Sequence, residues 1–230
     1  MAISRSAGAA FMAATLALCT AALVGSSSAA SVRETQHNSV AVGAVHAMGD
    51  WTAYRYGRFS ALVEFNRQLD WVAADIAARL GLDPTVLRVA WHRADRPHQV
   101  ALMAALSQVG TPYRTNTRTP GVGFDCSGLT SWAWGQAGAQ IAHQSHTQIR
   151  AAAKRTLATA QAGDLVYFPG HVMLYLGAED AIVQSPSHGR TVEVAILGKH
   201  RRGHVLYGDP INSSGAVTNS GVDWAAAVAK

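Results

Sequence analysis

The sequence predicts an α+β domain, with helices in the first half of the chain and an antiparallel sheet in the second. Apolar residues recur at helical spacing between residues 59 and 109. From residue 163 onward, short apolar runs alternate with turn residues, as in an antiparallel meander. With 49% hydrophobic and 14% charged residues, the chain can bury a large core, which excludes global disorder.

The N-terminal 30 residues have the order of a secretory signal peptide. Arg5 is followed by an apolar run over residues 11–24 and then by small residues that end at Ala30. We therefore expect cleavage there and an exported chain, secreted or associated with the cell wall, with no membrane contact after cleavage. An uncleaved anchor over residues 6–30 is the alternative, although glycines and serines dilute its ends.

Cysteine usage predicts a single thiol in the mature chain. The only cysteines are Cys19 and Cys126, and Cys19 leaves with the predicted signal peptide. A lipid anchor on Cys19 is disfavoured, because Leu18 before it is too bulky for the usual attachment signal. An exported chain with one cysteine forms no internal disulfide, so Cys126 is a candidate reactive thiol. An inert buried cysteine is the alternative.

Three helices are predicted before the sheet. Asp83 and Asp95 are N-cap residues that precede a proline in the first helical turn, and Gly81 and Gly110 end helices. The apolar stripes of these helices are predicted to form core rather than a binding surface. The predicted bounds are a flexible leader over residues 31–51 and helices over residues 59–80, 84–92 and about 96–109.

The second half combines a loop, one helix and a series of strands. A loop rich in threonine, proline and glycine covers residues 111–123, and a helix from Cys126 ends at Gly135 or Gly138. The predicted strands cover residues 163–168, 171–177, 181–184 and 191–196, with residues 204–207 as a closing strand.

This layout gives Cys126 a chemical context. At a helix start, unpaired backbone N–H groups and the helix dipole favour the thiolate, which is the reactive form of cysteine. His171 begins a strand, and an imidazole beside a thiolate gives the ion pair used by cysteine hydrolases. The next strand returns Gln184 to a position near His171, where its side chain can fix the ring tautomer as the third member of a triad does.

Other histidines compete for a functional role. His204 stands in a Gly-His-Val triplet that repeats the one around His171. His143 and His146 have a spacing that zinc sites also use, but the sequence offers no further cysteine or acidic ligand near them. We therefore predict no metal and no cofactor.

Five blocks of residues follow one another in a fixed order between residues 100 and 195. They are Gly110-Thr111-Pro112-Tyr113, the run from Gly123 to Leu129, Ser145-His146-Thr147-Gln148, the run from Gly163 to Phe168 and the run from His171 to Gly177. Together they resemble the NlpC/P60 family. The resemblance implies a papain-like fold, in which a helix that begins at the cysteine packs on an antiparallel sheet that carries the histidine. Members of this family are cell-wall cysteine peptidases, and most often they cut stem peptides between D-glutamate and diaminopimelate.

The resemblance also implies residue roles. Cys126 corresponds to the nucleophile, His171 to the general base, and Tyr113 to a tyrosine that assists the oxyanion or positions the substrate. In some relatives, three further positions grip the free amino end of a stem peptide; here they are Asp125, Ser127 and Ser145.

One position departs from the family pattern. The third polar residue is commonly histidine in an Ile-His-Ala-Pro context, whereas this chain has Val183-Gln184-Ser185-Pro186. A neutral amide stabilises an imidazolium less than a carboxylate does, so we expect a modest rate. His188 is the alternative residue for orienting His171.

The sequence therefore predicts a secreted peptidoglycan hydrolase that acts on stem peptides through a Cys-His-polar triad. A non-hydrolytic wall-binding module or an acyltransferase on the same scaffold is the alternative, and a regulatory partner stays open. Nucleic acid is excluded as a partner, because the net charge of +5 is diffuse and forms no basic stripe. The predicted organisation is a signal peptide (1–30), a leader with accessory helices (31–97), the catalytic domain (98–210) and a C-terminal tail (211–230).

Overall fold

The computed structural model describes the backbone of residues 24–212 and the side chains from residue 39 onward. Most of the predicted signal peptide, with Cys19, and nearly all of the predicted C-terminal tail lie outside the described residues. The chain divides into two units, Met1–Gln36 and His37–Lys230. Of the first unit the structure describes residues 24–36, which are helical. Within the described part of the chain, no helix combines the length and the apolar character needed to cross a bilayer.

Helices dominate the first half of the chain, as the sequence predicts. The first four are α1 Val24–Arg55, α2 Ala61–Leu80, α3 Pro84–Arg93 and α4 Arg96–Leu106, and the second half of the described chain adds α5 Cys126–Gln136, α6 Ser145–Ala151 and α7 Lys199–Arg202. The predicted caps are present: Asp83 accepts a hydrogen bond from the Thr85 N–H at 2.7 Å, and Asp95 accepts one from the His98 N–H at 3.1 Å. Helix α4 ends earlier than predicted, and a turn continues the chain to Gly110, whose φ is 94°.

The prediction of a flexible leader over residues 31–51 is wrong, because helix α1 covers all of it. Val40, Ala44 and Ala47 of this helix are fully buried. They recur at helical spacing, so one face of the helix packs into the core. Alanine is only weakly hydrophobic, so this stripe is hard to see against the polar and small residues around it.

The second half forms a six-stranded antiparallel sheet. The strands of the described residues are β1 Arg118–Thr119, β2 Gly123–Phe124, β3 Ala153–Arg155, β4 Leu165–Phe168, β5 His171–Tyr175, β6 Ala181–Gln184, β7 Glu193–Ile196 and β8 Leu206–Asp209. The order in the large sheet is β3-β8-β4-β5-β6-β7, so the meander β4–β7 is confirmed. The last strand starts later than predicted and lies between β3 and β4, at the opposite side of the meander from β7.

Short elements account for the rest of the difference from prediction. Strands β1 and β2 form a small hairpin inside the predicted loop 111–123, and α6, β3 and α7 were not predicted. Each of these elements has seven residues or fewer. So short a segment offers too few positions for a periodic pattern to stand out.

The sheet buries both of its faces. The larger apolar cluster joins buried residues of α1 to α5 with Leu165, Val172, Leu174 and Val183 from the sheet. A smaller cluster on the other face contains Val166, Met173, Tyr175, Ile182, Leu197 and Tyr207. Side chains alternate between the faces of a strand, so His171 shares a face with Met173 and Tyr175.

Candidate active site

Cys126 is the first residue of α5, and the residues around it fix this helix start. Asp125 precedes the helix in an extended conformation, and its Oδ1 accepts hydrogen bonds from the Gly128 N–H at 2.6 Å and the Ser127 hydroxyl at 3.1 Å. The Asp125 N–H donates to the Thr117 carbonyl at 2.9 Å. That same carbonyl leaves no room for a Cβ at Gly128. The Asp-Cys-Ser-Gly sequence is thus needed for both the cap and the close approach of the loop.

The Cys126 thiol is partly buried and faces backbone donors. The Val172, Ser127 and Cys126 N–H groups hydrogen-bond the sulfur and lower the pKa of the thiol. Burial is the largest effect, however, and together with the nearby Asp125 charge it raises the pKa of Cys126 above its ordinary value. The helix terminus can be predicted from the sequence, whereas this burial cannot. The contact with Val172 places the sulfur beside the peptide group that follows His171.

The hairpin between β4 and β5 positions His171. Phe168 pairs with His171 across the hairpin, and Gly170 in the turn has a φ of 81°, which favours glycine. Burial is the largest effect on the imidazole and lowers its pKa below 6.5. The hydrogen bond to the Gln184 Oε1 and the charge of Glu193 oppose this decrease, and the charge of Arg201 adds to it.

Gln184 and His171 meet as the sequence predicts, but diagonally. Leu174 pairs with Val183, and continuing this register places Gln184 opposite Met173 rather than opposite His171. Diagonal neighbours on one face of a sheet are within reach of long side chains. The Gln184 Oε1 lies 2.9 Å from the His171 Nε2, and Gln184 is only 7% exposed.

A second polar contact continues from Gln184 and was not predicted. The Gln184 Nε2 donates to the Glu193 Oε1 at 3.0 Å, and both Glu193 oxygens accept from the Arg190 Nη2 at 2.5 and 2.6 Å. Gln184 and Glu193 are paired residues of β6 and β7. A correct hairpin register would have identified Glu193 from the sequence.

Tyr113 lies next to the loop that follows β6. Its N–H donates to the Arg190 carbonyl at 2.8 Å, and it bridges to Phe124 just before the cysteine helix. The Tyr113 and His188 rings pack edge to face, with centroids 6.1 Å apart. His188, the alternative orienting residue, is thus exposed and packed on Tyr113, whereas the His171 ring hydrogen-bonds Gln184.

The three positions implied for substrate binding are only partly brought together. Asp125 and the buried Ser127 contact each other at the start of α5, and Ser145 begins α6. His143, which the sequence argument considered only for zinc, lies with its Nε2 3.0 and 3.1 Å from the two Asp125 oxygens. An acidic partner for His143 therefore exists, although the sequence spacing gave no sign of it.

One cluster has the donor types of a metal site, and it lies apart from these residues. His98, Asp164 and Asp209 are fully buried, with potential ligand atoms within 4.8 Å of one another. Protein donors already pair with these oxygens: Arg155 lies 2.7 Å and the Asn212 amide 2.6 Å from the Asp209 Oδ2. The cluster is therefore a buried ion-pair network between α4 and the sheet.

Comparison with known proteins identifies the domain that contains these residues. The model of the NlpC/P60 family matches residues 110–202. This segment of the chain is similar to the NlpC/P60 family. The match begins at the first of the five sequence blocks and covers Cys126, His171 and Gln184. The predicted resemblance and the α+β fold are both confirmed.

Similar curated proteins are peptidases by name. A probable endopeptidase of Mycobacterium tuberculosis strain H37Rv is 38% identical over 96 residues, 40% of this chain and 24% of that protein. Dipeptidyl-peptidase 6 of Lysinibacillus sphaericus is 38% identical over 107 residues, 46% of this chain and 38% of that protein. The bifunctional muramidase/DL-endopeptidase CwlT of Bacillus subtilis is 35% identical over 88 residues, 35% of this chain and 27% of that protein. The matched segment thus spans well under half the length of each of these relatives.

Solved structures of the family are also similar to this chain. An NLP/P60 family protein of Staphylococcus aureus, described as similar to lipoprotein, has a TM-score of 0.46 and 27% identity over 51% of this chain and 42% of its own. RipD of Mycobacterium tuberculosis, described as a non-catalytic NlpC/p60 domain protein, has a TM-score of 0.40 and 27% identity over 50% of this chain and 96% of its own.

Proposed function

We propose that this chain is a secreted cysteine endopeptidase that cleaves peptidoglycan stem peptides at the D-glutamyl–diaminopimelate bond. The observation that carries the proposal is that the Cys126 thiol lies beside the backbone next to an oriented imidazole. The Val172 N–H, which follows His171, lowers the pKa of the Cys126 thiol, and the His171 Nε2 lies 2.9 Å from the Gln184 Oε1. An oriented base beside a nucleophile at a helix start is the arrangement that covalent hydrolysis requires.

The first chemical step is acylation of Cys126. The Gln184 Oε1 accepts a hydrogen bond from the protonated His171 Nε2, which leaves the Nδ1 lone pair to take the thiol proton. The sulfur then attacks the carbonyl carbon of D-glutamate, and backbone N–H groups at the start of α5 stabilise the negative charge. The C–N bond breaks, and the diaminopimelate amine takes the proton from His171.

Deacylation reverses these roles. His171 removes a proton from water, which attacks the thioester, releases the D-glutamyl carboxylate and returns the thiol. Tyr113 lies between the cysteine helix and the 185–192 loop, which suits a role in positioning the stem peptide beside Cys126.

Asp125, Ser127 and Ser145 are proposed to bind the amino-terminal side of the stem peptide. The Asp125 carboxylate is partnered by His143 at 3.0 Å. A substrate ammonium group would therefore have to displace or share this contact. This competition favours substrates whose amino end carries no free charge, as in peptides still attached to the glycan.

Digestion of a defined muropeptide tests the proposal. The mature protein is incubated with peptides that contain L-alanyl-D-glutamyl-diaminopimelate, and mass spectrometry identifies the fragments. We expect a new D-glutamyl carboxylate and a new diaminopimelate amine. Products from any other bond would contradict the proposed specificity, and retention of the protein on intact wall without fragments would favour the non-hydrolytic alternative.

The two Gly-His-Val triplets supply a matched pair of variants for this assay. His171→Ala removes the proposed base, whereas His204→Ala changes an exposed residue of a turn outside the 110–202 match. We expect His171→Ala to abolish fragment release and His204→Ala to retain it. Equal losses in both variants would contradict the assignment of His171.

Secretion is part of the proposal and has its own measurement. The charged, apolar and small-residue order of the N-terminus supports export with cleavage near Ala30. N-terminal sequencing of the protein from culture supernatant should give Ser31 or a neighbouring residue as the first. Recovery of the intact N-terminus in the membrane fraction would contradict cleavage.

A further inference from the structure

A row of hydrogen bonds crosses three neighbouring strands beside the proposed base. The His171 Nε2 lies 2.9 Å from the Gln184 Oε1, and the Gln184 Nε2 lies 3.0 Å from the Glu193 Oε1. These side chains lie on one face of β5, β6 and β7. Gln184 and Glu193 are direct partners across the two strands.

The chemistry of Glu193 decides how the Gln184 amide is oriented. A glutamine amide has an accepting oxygen and a donating nitrogen, and the two orientations related by a flip have nearly the same shape. An ionised carboxylate only accepts hydrogen bonds. Glu193 therefore selects the orientation in which the Gln184 nitrogen points toward it and the Gln184 oxygen points toward His171.

The orientation of the amide in turn decides the tautomer of His171. An oxygen facing Nε2 requires a proton on Nε2 and leaves the Nδ1 lone pair unprotonated. A flipped amide would present N–H to Nε2 and stabilise the tautomer that carries its proton on Nδ1. That tautomer has no lone pair at Nδ1 to take the proton of the Cys126 thiol.

We infer that Glu193 is a positioning residue, which holds the Gln184 amide in one orientation and thereby fixes the reactive tautomer of His171. The inference rests on the proposed function, because it assigns Glu193 a role in the base of that same site. Glu193 touches no reacting atom and acts through Gln184.

Glu193 is itself held in place and is suited to this role. Its two oxygens accept from the Arg190 guanidinium at 2.5 and 2.6 Å, and its side chain is 18% exposed. Gln184 is more deeply buried and neutral, so Glu193 brings the carboxylate charge that the third position lacks. Four effects act on the pKa of His171. Burial and the charge of Arg201 lower it, whereas the Gln184 hydrogen bond and the Glu193 carboxylate raise it.

The test compares Glu193→Gln with Glu64→Gln in the mature protein. Both substitutions are isosteric, and both remove a carboxylate paired with an arginine three residues away in sequence, Arg190 or Arg67. Nitrogen-15 NMR of the histidine side chains reports the His171 tautomer without any substrate. Steady-state kinetics on the defined muropeptide report kcat and KM separately.

In Glu193→Gln we expect part of the His171 population to carry its proton on Nδ1. We also expect kcat to fall by about 10-fold with KM unchanged, as is typical when a hydrogen bond that orients a ligand residue is lost. The acidic limb of the kcat/KM profile should move to lower pH, because the carboxylate that raises the pKa of His171 is gone. Glu64→Gln should match the parent in every readout.

A double variant separates positioning from a general structural effect. If Glu193 acts through Gln184, adding Glu193→Gln to Gln184→Ala should cause no further loss of kcat. Additive losses, or an unchanged His171 tautomer in Glu193→Gln, would overturn the inference while leaving the proposed hydrolysis intact. If Glu193→Gln changes the His171 tautomer but the parent protein cleaves no stem peptide, the result would support the positioning role and overturn the proposed function.

Discussion

Burial favours the neutral form of both the Cys126 thiol and the His171 ring. Burial raises the pKa of the thiol and lowers the pKa of the imidazole, and the backbone donors around the sulfur only partly oppose this. The sequence argument expected a thiolate at the helix start. The burial of both groups instead favours a neutral thiol and a neutral imidazole, and in the proposed mechanism the proton moves to His171 as the sulfur attacks.

The pH dependence of kcat/KM follows from the direction of the His171 shift. A neutral imidazole must act as the base, so activity is lost as pH falls through the pKa of His171. Because burial lowers that pKa, we expect the midpoint of the acidic limb below 6.5. The measurement is kcat/KM on the defined muropeptide at a series of pH values. A midpoint above 6.5 would contradict a lowered pKa of His171.

Gln184 and His188 can be separated by two single substitutions. Gln184→Ala removes the hydrogen bond to the His171 Nε2, and we expect kcat/KM to fall by about 10- to 100-fold. Gln184→His should retain activity, because it restores the residue that is commoner in the family. His188→Ala removes an exposed ring packed on Tyr113 and should affect KM more than kcat.

Kinetics of the three variants on one muropeptide decide between the two residues. A collapse of activity in His188→Ala, with Gln184→Ala behaving like the parent, would contradict the proposed third member of the triad.

At the scale of elements, the buried network of His98 links α4 to the sheet. The His98 ring lies 2.6 Å from Asp95 and 3.0 Å from Asp164, and all three residues stand outside the proposed catalytic triad. Burial opposes charge on His98 most strongly, but the two carboxylates outweigh it and raise the pKa of the ring. Burial is also the largest effect on Asp164 and raises the pKa of that carboxyl.

His98→Ala should lower the free energy of unfolding by about 3 to 5 kcal/mol, because it leaves a buried carboxylate without its partner. The pKa of His98 is higher in the folded protein than its unfolded value of 6.5. The protonated ring therefore stabilises the fold fully below pH 6.5, and this contribution is lost as the pH rises through the folded-state pKa. Urea denaturation at several pH values measures both effects. His204→Ala, at an exposed site, serves as the control and should change stability by less than about 0.5 kcal/mol. An equal loss in both variants would contradict a structural role for the network.

The sequence predicted the elements whose signals are local. The caps at Asp83 and Asp95 and the meander from Leu165 to Ile196 depend on neighbouring residues, and all were found as expected. Helix α1 was missed because its buried face is made largely of alanine. The position of β8 beside β4 was missed because pairing between distant strands leaves no local pattern.

In the candidate active site, too, local features can be predicted from the sequence and contacts between distant elements cannot. The helix that begins at Cys126 and the strand that begins at His171 are both found where the sequence predicts them. The contacts of His143 with Asp125 and of Gln184 with Glu193 connect residues from different elements. They depend on strand register and on the path of a loop, which the sequence blocks do not contain.

At the scale of the whole molecule, one hydrophobic cluster includes residues of the N-terminal helices and of the sheet. The predicted boundary at residues 97/98 therefore falls inside a shared core, at the start of α4. Within the described residues, the helices from residue 39 onward contribute to the core that supports the cysteine helix. The sequence predicts neither a targeting role nor a role in covering the cleft for these helices.

The central claim is that Cys126 attacks the stem peptide and forms a thioester. The most direct measurement compares fragment release from the defined muropeptide by the parent and by Cys126→Ala, with circular dichroism to show that both are folded. We expect the variant to keep the fold and to lose at least about a thousandfold in kcat/KM, because removal of a nucleophile typically costs more than that. A folded Cys126→Ala protein that releases the same fragments at more than about one part in a thousand of the parent rate would contradict the claim.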